Sequence, residues 1–234
     1  MFKERDKTFL FGTDNIKVLT EGSTYFIRSR RSITIEPIGD RYILCKINGL
    51  LQMNDKKTDT IPGLNPKLHN DFRSMDIINT NEVLAGSEKK LYHITLQNDS
   101  FKIQTFDMSR FPSLKQFRAL KVDGNNLWMA GRDMLLKVDL ELLLKKDTVI
   151  AKKYNTMSHF LENDIDFNSL LITDDKTILA TSLSGMLAFN EKSFLPNTQP
   201  PKLDISQILL FSEPLEDSLF RTNKGIVLPF QKTI

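Results

Sequence analysis

The sequence predicts an all-β fold built from small repeated sheets. Three observations carry that prediction: an internal period of 42 to 50 residues, turn-forming residues at matching places in each period, and short apolar runs of strand length between them. Four segments read alike: Arg31-Ser32-Ile33 through DRYILCKINGLLQMND, Arg73-Ser74-Met75 through NEVLAGSEKKLYHIT, Arg118-Ala119-Leu120 through NNLWMAGRDMLLKVD, and Asn168-Ser169-Leu170 through KTILATSLSGMLAFN. Their opening residues, 31, 73, 118 and 168, are 42, 45 and 50 apart. A period of about 40 to 50 residues with several strands in each marks a β-propeller blade.

Residues 1–31 read as a partial blade. Three β-like runs, 8–11, 16–19 and 24–27, are punctuated by Gly12 and Gly22, and no inner strand is expected ahead of them. Full repeats follow at 32–71, 72–116, 117–166 and 167–197. In the second of these the strands are placed at 74–78, 83–85, 91–94 and 101–106; in the third, at 119–122, 127–129, 135–138 and 149–152. Their apolar content suits strands packed between neighbouring sheets. The turns fall at IGD, NTN, DGNN and TDDK, whose Asn, Asp and Gly tolerate tight hairpin geometry. The stretch from Leu140 to Lys146 could form a short turn of helix, but its place between the third and fourth strands of one blade reads as a loop insertion.

The propeller is assigned to 1–199, and the pattern changes after it. Pro200-Pro201 suits a linker, and strand-like runs at 203–211 and 226–230 read as the incomplete start of a β-sandwich at 200–234.

Composition narrows the function classes. Thirty-two basic against 29 acidic residues leave a net charge of +3, too small to argue nucleic-acid or membrane binding from bulk charge. No stretch approaches the ~18 apolar residues of a membrane helix, and no apolar signal-peptide core follows the charged N-terminus. The single cysteine, Cys45, rules out an intrachain disulfide; it takes the slot of Ala85, Ala130 and Ala180 in the other repeats and reads as a small core residue.

Catalytic patterns are lacking. His69, His93 and His159 fall at unrelated repeat positions, and there is no Cys/His metal spacing, phosphate loop or Gly-x-Ser-x-Gly elbow. No cofactor and no enzymatic activity are expected. Trp128, in a second-strand apolar run, reads as core between blades, with sugar stacking as the alternative.

The positions singled out are the repeat openers Arg31, Arg73, Arg118 and Asn168. Equivalent positions in successive blades lie around one axis, so long polar groups there could ring the mouth of the central channel. Guanidinium groups offer planar forks of donors suited to a carboxylate or sulfate. The alternative is that they satisfy loop carbonyls between blades.

The repeats resemble the two-component-regulator propeller repeats, whose strand reads Gly-Asn-Leu-Trp-Ile-Gly-Thr and is followed by Gly-Leu. The matching residues are Asn125-Asn126-Leu127-Trp128-Met129-Ala130-Gly131, Thr177 to Ser182 with Gly185-Met186-Leu187-Ala188-Phe189-Asn190, Asn48-Gly49-Leu50-Leu51, and Lys90-Leu91-Tyr92. The tail is similar to the opening of the triple-tyrosine sandwich domain, through Pro200-Pro201, 205–209 and 225–230. The resemblance implies a fragment of the sensor of a hybrid two-component system or a related transcriptional regulator. It implies part of a seven-bladed propeller, with a small closed propeller of five blades as the alternative, lying in the periplasm or otherwise outside the cytoplasm, that binds a carbohydrate or other anionic small ligand. A homodimer would form through the full-length receptor, whose membrane helix and output domain lie elsewhere. Two other readings stand beside it: a propeller scaffold for protein–protein contacts, and, last, a propeller lyase or glycosidase.

Overall fold

The computed structural model describes residues 2–4, 6–54, 57–65, 71–112, 114, 117–131, 134–146, 148–155, 165–166, 168–182, 185–193, 209–210 and 213–214. Five antiparallel sheets stand in a ring as successive blades of a β-propeller. Blade 1 holds β1 (Phe2–Glu4), β2 (Lys7–Phe11), β3 (Asn15–Thr20) and β4 (Ser23–Arg28). Blade 2 holds β5 (Ser32–Ile38), β6 (Arg41–Lys46), β7 (Gly49–Asn54) and β8 (Lys57–Thr60). Blade 3 holds β9 (Phe72–Asn79), β10 (Glu82–Ser87), β11 (Lys90–Gln97) and β12 (Ser100–Asp107). Blade 4 holds β13 (Ala119–Asp123), β14 (Asn126–Ala130), β15 (Met134–Asp139) and β16 (Ala151–Asn155). Blade 5 holds three described strands, β17 (Leu171–Ile172), β18 (Thr177–Ser182) and β19 (Gly185–Asn190).

Blade 1 differs from expectation. It is a complete four-stranded sheet: β1 pairs antiparallel with β2, Phe2 opposite Phe9 and Glu4 opposite Lys7. A strand of three residues inside a run of charges gives no alternating pattern to read.

Each blade uses the two faces of its sheet differently, because successive residues of a strand point to opposite sides. Between blades 1 and 2, Phe9, Ile16, Val18 and Ile27 pack on Ile35, Tyr42, Leu44 and Met53. Between blades 2 and 3, Ile43, Cys45 and Leu50 meet Met75, Val83, Ala85 and Tyr92. Between blades 3 and 4, Leu84 and Leu91 meet Phe117, Leu127, Met129, Leu136 and Val138. Trp128 stacks on Tyr154 with ring centres 5.7 Å apart, and Phe189 of blade 5 closes edge-on at 4.9 Å from Tyr154. Trp128 is thus buried core between blades 4 and 5.

The hairpins fix the register. Gly39 and Gly124 take positive φ in two of the turns, which glycine allows without a Cβ clash. Counted from these turns, Cys45 shares its slot with Gly86, Ala130 and Thr181. Ala85 and Ala180 belong one position earlier, so Cys45 and Ala85 face each other across an interface instead of repeating one another. Gly86 has its own reason: a Cβ there would come within 2.3 Å of the Phe117 ring. Cys45 is fully buried, and that burial pushes its thiol well above the ordinary range.

The insertion after β15 is the helix α1 (Leu140–Lys146). Asp139 accepts from the Leu142 N–H at 2.9 Å and Asn125 from the Glu141 N–H at 2.8 Å, capping its first turn. Leu140 and Leu143 turn into the core.

The chain divides into two compact units, Met1–Glu191 and Lys192–Ile234. Apart from Lys192 and Ser193, the described residues of the second form a hairpin of β20 (Leu209–Leu210) and β21 (Glu213–Pro214). The rest of the predicted sandwich, and the strand placed at 226–230, lie outside the described residues.

Candidate functional site at the inner strands

The candidate site is built on the first strand of each blade. These strands, β5, β9 and β13, adjoin one another along the inside of the ring. Two of them are bulged where they begin. In β5 the pairing shifts between Ser32 and Thr34; in β9 it shifts opposite Gly86 and Ser87, so that Arg73 is the extra residue. A bulge adds one residue and re-aims the strand.

The bulges decide which openers correspond. Thr34, Ser74 and Ala119 lie opposite Cys45, Gly86 and Ala130. The residues just before them are Ile33, Arg73 and Arg118. In blade 5 the hydroxyl of Ser169 donates to the Thr181 carbonyl, which places Asn168 at the same point. Three of the four positions therefore match in register, and Arg31 stands two residues too early. Its counterpart is Asp71, and both residues take positive φ, 54° and 67°. The loop at Ile47 stitches the two together. Its N–H donates to the Arg31 carbonyl at 3.3 Å, and its carbonyl accepts from the N–H groups of Asp71 and Phe72 at 2.6 and 3.1 Å.

Arg73 forms an ion pair with Asp71 at 2.6 Å and is partly exposed. The Arg118 N–H donates to the Ala130 carbonyl at 2.8 Å, and its own carbonyl accepts from the Asn168 N–H at 3.2 Å. The Asn168 side chain crosses to blade 3. Its Oδ1 accepts from the Ser74 hydroxyl at 2.5 Å and from the Met75 N–H at 3.2 Å. Ser74 in turn accepts from the Leu120 N–H at 2.9 Å. Blades 3, 4 and 5 thus share one polar knot, which joins Asn168 to the Arg118 backbone and to Ser74, the residue that follows Arg73 in the chain. Arg31 belongs to the seam between blades 1 and 2.

One further residue of the knot gave a signal that sequence reasoning passed over. Asp76 interrupts the apolar run of β9, between Met75 and Ile77. It is buried and accepts from Lys121 Nζ at 2.6 Å and the Val122 N–H at 2.7 Å. Burial pushes its carboxyl up from the usual range, against the pull of Lys121 and Val122. Arg73, Arg118 and Lys121 against Asp71 and Asp76 leave this region one positive charge. Such a site suits recognition of an anion by charge-assisted hydrogen bonds.

A second polar cluster pins the end of blade 5 to blade 4. Glu191, just after β19, accepts from Lys137 at 2.7 Å, Lys152 at 3.2 Å and the Tyr154 hydroxyl at 2.6 Å. Burial works to raise its carboxyl, but these three donors outweigh it and hold it at about 2. Burial and the neighbouring Glu191 push the Tyr154 hydroxyl well up. Lys137 also lies over the Trp128 ring at 5.4 Å.

Among the described residues, no three His, Cys, Asp or Glu side chains gather to hold a metal. His93 Nε2 bonds Glu82 at 2.7 Å on the neighbouring strand. His69 and His159 lie outside the described residues.

No family model matches the chain, and no curated protein matches it. Solved structures do. The chain is similar to the extracellular domain assigned to the hybrid two-component system BT3049 of B. thetaiotaomicron, at a TM-score of 0.56 and 12% identity over 79% of this chain and 27% of that one. This decides the fold. The chain is a β-propeller. The extracellular domain of BT4673 from the same organism superposes at 0.51 with 15% identity, over 69% of this chain and 20% of that one. The AfRom2 CNH domain superposes at 0.50 with 11% identity, over 78% and 58%. The propeller thus spans about a quarter of the BT3049 domain's length and a fifth of BT4673's. Identities this low carry the fold and nothing finer. Among the described residues, no helix is long and apolar enough to cross a membrane.

Proposed function

We propose that this propeller is the non-catalytic, ligand-sensing region of a signal-transduction receptor, working outside the cytoplasm. The observation that carries the reading is its likeness in blade arrangement to extracellular domains assigned to two-component systems. The ligand is an anionic small molecule, and a uronate or sulfated glycan fragment fits the cationic groups best. Arg73 and Arg118 contact it. Asn168 holds the two inner strands in place beside them, and Arg31 sets the neighbouring seam. In the parent receptor, binding at the propeller shifts the pairing of two subunits and so reaches the output domain.

Calorimetric titration of the purified chain tests this with three probes: heparin-derived sulfated oligosaccharides, oligogalacturonates and neutral maltooligosaccharides. The anionic probes bind, and added salt weakens them. Absence of binding by both anionic probes contradicts the anion assignment, and absence of binding by all three contradicts the sensing reading of this region.

A further inference from the structure

We infer that Lys121 is a third ligand-contacting cation of the inner-strand site, and that Asp76 holds its ammonium where an anionic group of the ligand would sit. The inference rests on the sensing reading above and extends it from the blade openers to a second level, further along the strands.

The path of the Lys121 side chain carries it. Residues directly opposite in antiparallel strands point to one side of the sheet. Lys121 lies opposite Trp128, and Trp128 packs toward blade 5 against Phe189. Lys121 therefore leaves its strand on the blade 5 side. Its ammonium nevertheless bonds Asp76 Oδ1 at 2.6 Å, on β9 of blade 3. One edge of β13 is paired with β14, so the side chain reaches blade 3 round the other, inner edge, which faces the axis of the ring. That inner edge offers the N–H groups of Leu120 and Val122, which donate to the Ser74 hydroxyl at 2.9 Å and to Asp76 Oδ2 at 2.7 Å. Lys121 is thus a channel-lining residue. Its side chain is 32% exposed and that of Asp76 only 4%, so a ligand meets the ammonium and not the carboxylate.

Register gives depth and charge. The same position in the repeat holds Glu36 in blade 2, opposite Ile43; Asp76 in blade 3, opposite Leu84; and Leu171 in blade 5, opposite Leu179. Among blades 2 to 5, Lys121 is the one cation at this position. Glu36 is buried and accepts from the Thr34 hydroxyl at 3.3 Å. Lys121 follows Arg118 by three residues, about 10 Å of extended strand. A ligand touching both carries at least two anionic groups, which selects a sulfated or uronate oligosaccharide over a singly charged monosaccharide. An ammonium has three donors, and the bond to Asp76 uses one of them. The Asp76 carboxylate offsets the charge of Lys121, so it sets how strongly an anion is held there.

Calorimetric titration of the purified chain with heparin-derived sulfated oligosaccharides and with oligogalacturonates tests this. Asp76→Asn keeps an acceptor for the Val122 N–H and removes the opposing charge. It should tighten binding by about threefold or more and steepen the loss of binding with added salt. Lys121→Met should weaken binding by a similar factor and make the salt dependence shallower. A merely structural role for Asp76 would not give tighter binding. Circular dichroism shows whether each variant folds; where Lys121→Met does not, the isosteric Asp76→Asn decides. Wild type that binds while Asp76→Asn is unchanged or weaker, or while folded Lys121→Met is unchanged, overturns the assignment of Lys121 and leaves the sensing reading standing. Wild type that binds neither anionic probe overturns the anion reading and this assignment with it.

Discussion

The side-chain oxygen of Asn168 accepts a hydrogen bond from the Ser74 hydroxyl at 2.5 Å, across 94 residues of chain and from blade 5 to blade 3. Ser74 also satisfies the Leu120 N–H, so one hydroxyl ties three blades at their inner strands. Ser74→Ala leaves that buried N–H without its acceptor and should cost about 1–3 kcal/mol in urea unfolding. Asn168→Gly keeps the left-handed backbone (φ 52°) and loses only the side-chain bonds, so it should cost less than Asn168→Ala. Equal losses from the two Asn168 variants would show that backbone strain plays no part.

Gly86 is fixed by crowding. Gly86→Ala drives a Cβ into the Phe117 ring and should destabilise by about 1–3 kcal/mol. Combining it with Phe117→Leu should recover part of that loss, measured as a non-additive double-mutant cycle. Strict additivity would contradict the steric cause.

Two carboxylates predict opposite pH behaviour. The Asp76 carboxyl is raised in the folded state, so the fold holds that proton longer than the unfolded chain does. Its contribution falls as pH rises from the unfolded value near ~3.9 through the folded one. Lys121→Met should therefore cost stability at neutral pH, where Asp76 is charged and loses its partner, and cost less in acid. Glu191 is depressed to about 2, so its contribution is present above the ordinary glutamate range and is lost as pH falls toward 2. Glu191→Gln should flatten the acid limb of the stability curve. An unchanged limb would contradict the role given to its three donors.

Trp128 is the chain's single tryptophan, so its fluorescence reports the seam between blades 4 and 5 alone. Its native emission should be blue-shifted by burial. Phe189→Ala should red-shift it and cost about 3–5 kcal/mol, the range for removing a buried aromatic. Emission unchanged by that variant would contradict the packing described.

The repeat, the hairpin turns and the burial of Trp128 were legible in the sequence because each follows from local chemistry: period, turn residues and apolar runs. The stretch 140–146 read as a loop insertion and is a helix, because Asn125 and Asp139 cap its first turn and Leu140 and Leu143 turn into the core. The inner strand of blade 1 was not, since Phe2–Glu4 is too short and too charged to show alternation. Arg31 looked like the counterpart of Arg73 because both precede a serine; only the bulges at Ile33 and Arg73 show that Asp71 is its match. The knot of Asn168 with Ser74 and the clamp on Glu191 join residues far apart in the chain, and no spacing rule announces them. Asp76 was the exception: a carboxylate in an apolar strand signals a buried partner, here Lys121.

The most direct test of ligand sensing at the inner strands is the sulfated-oligosaccharide titration repeated with Arg73→Ala and Arg118→Ala combined, after circular dichroism shows the β-sheet spectrum retained. Losing two charge-assisted contacts should weaken binding tenfold or more, at about 1.5–3 kcal/mol each. Unchanged affinity in the folded double variant would contradict it and move the ligand away from these strands.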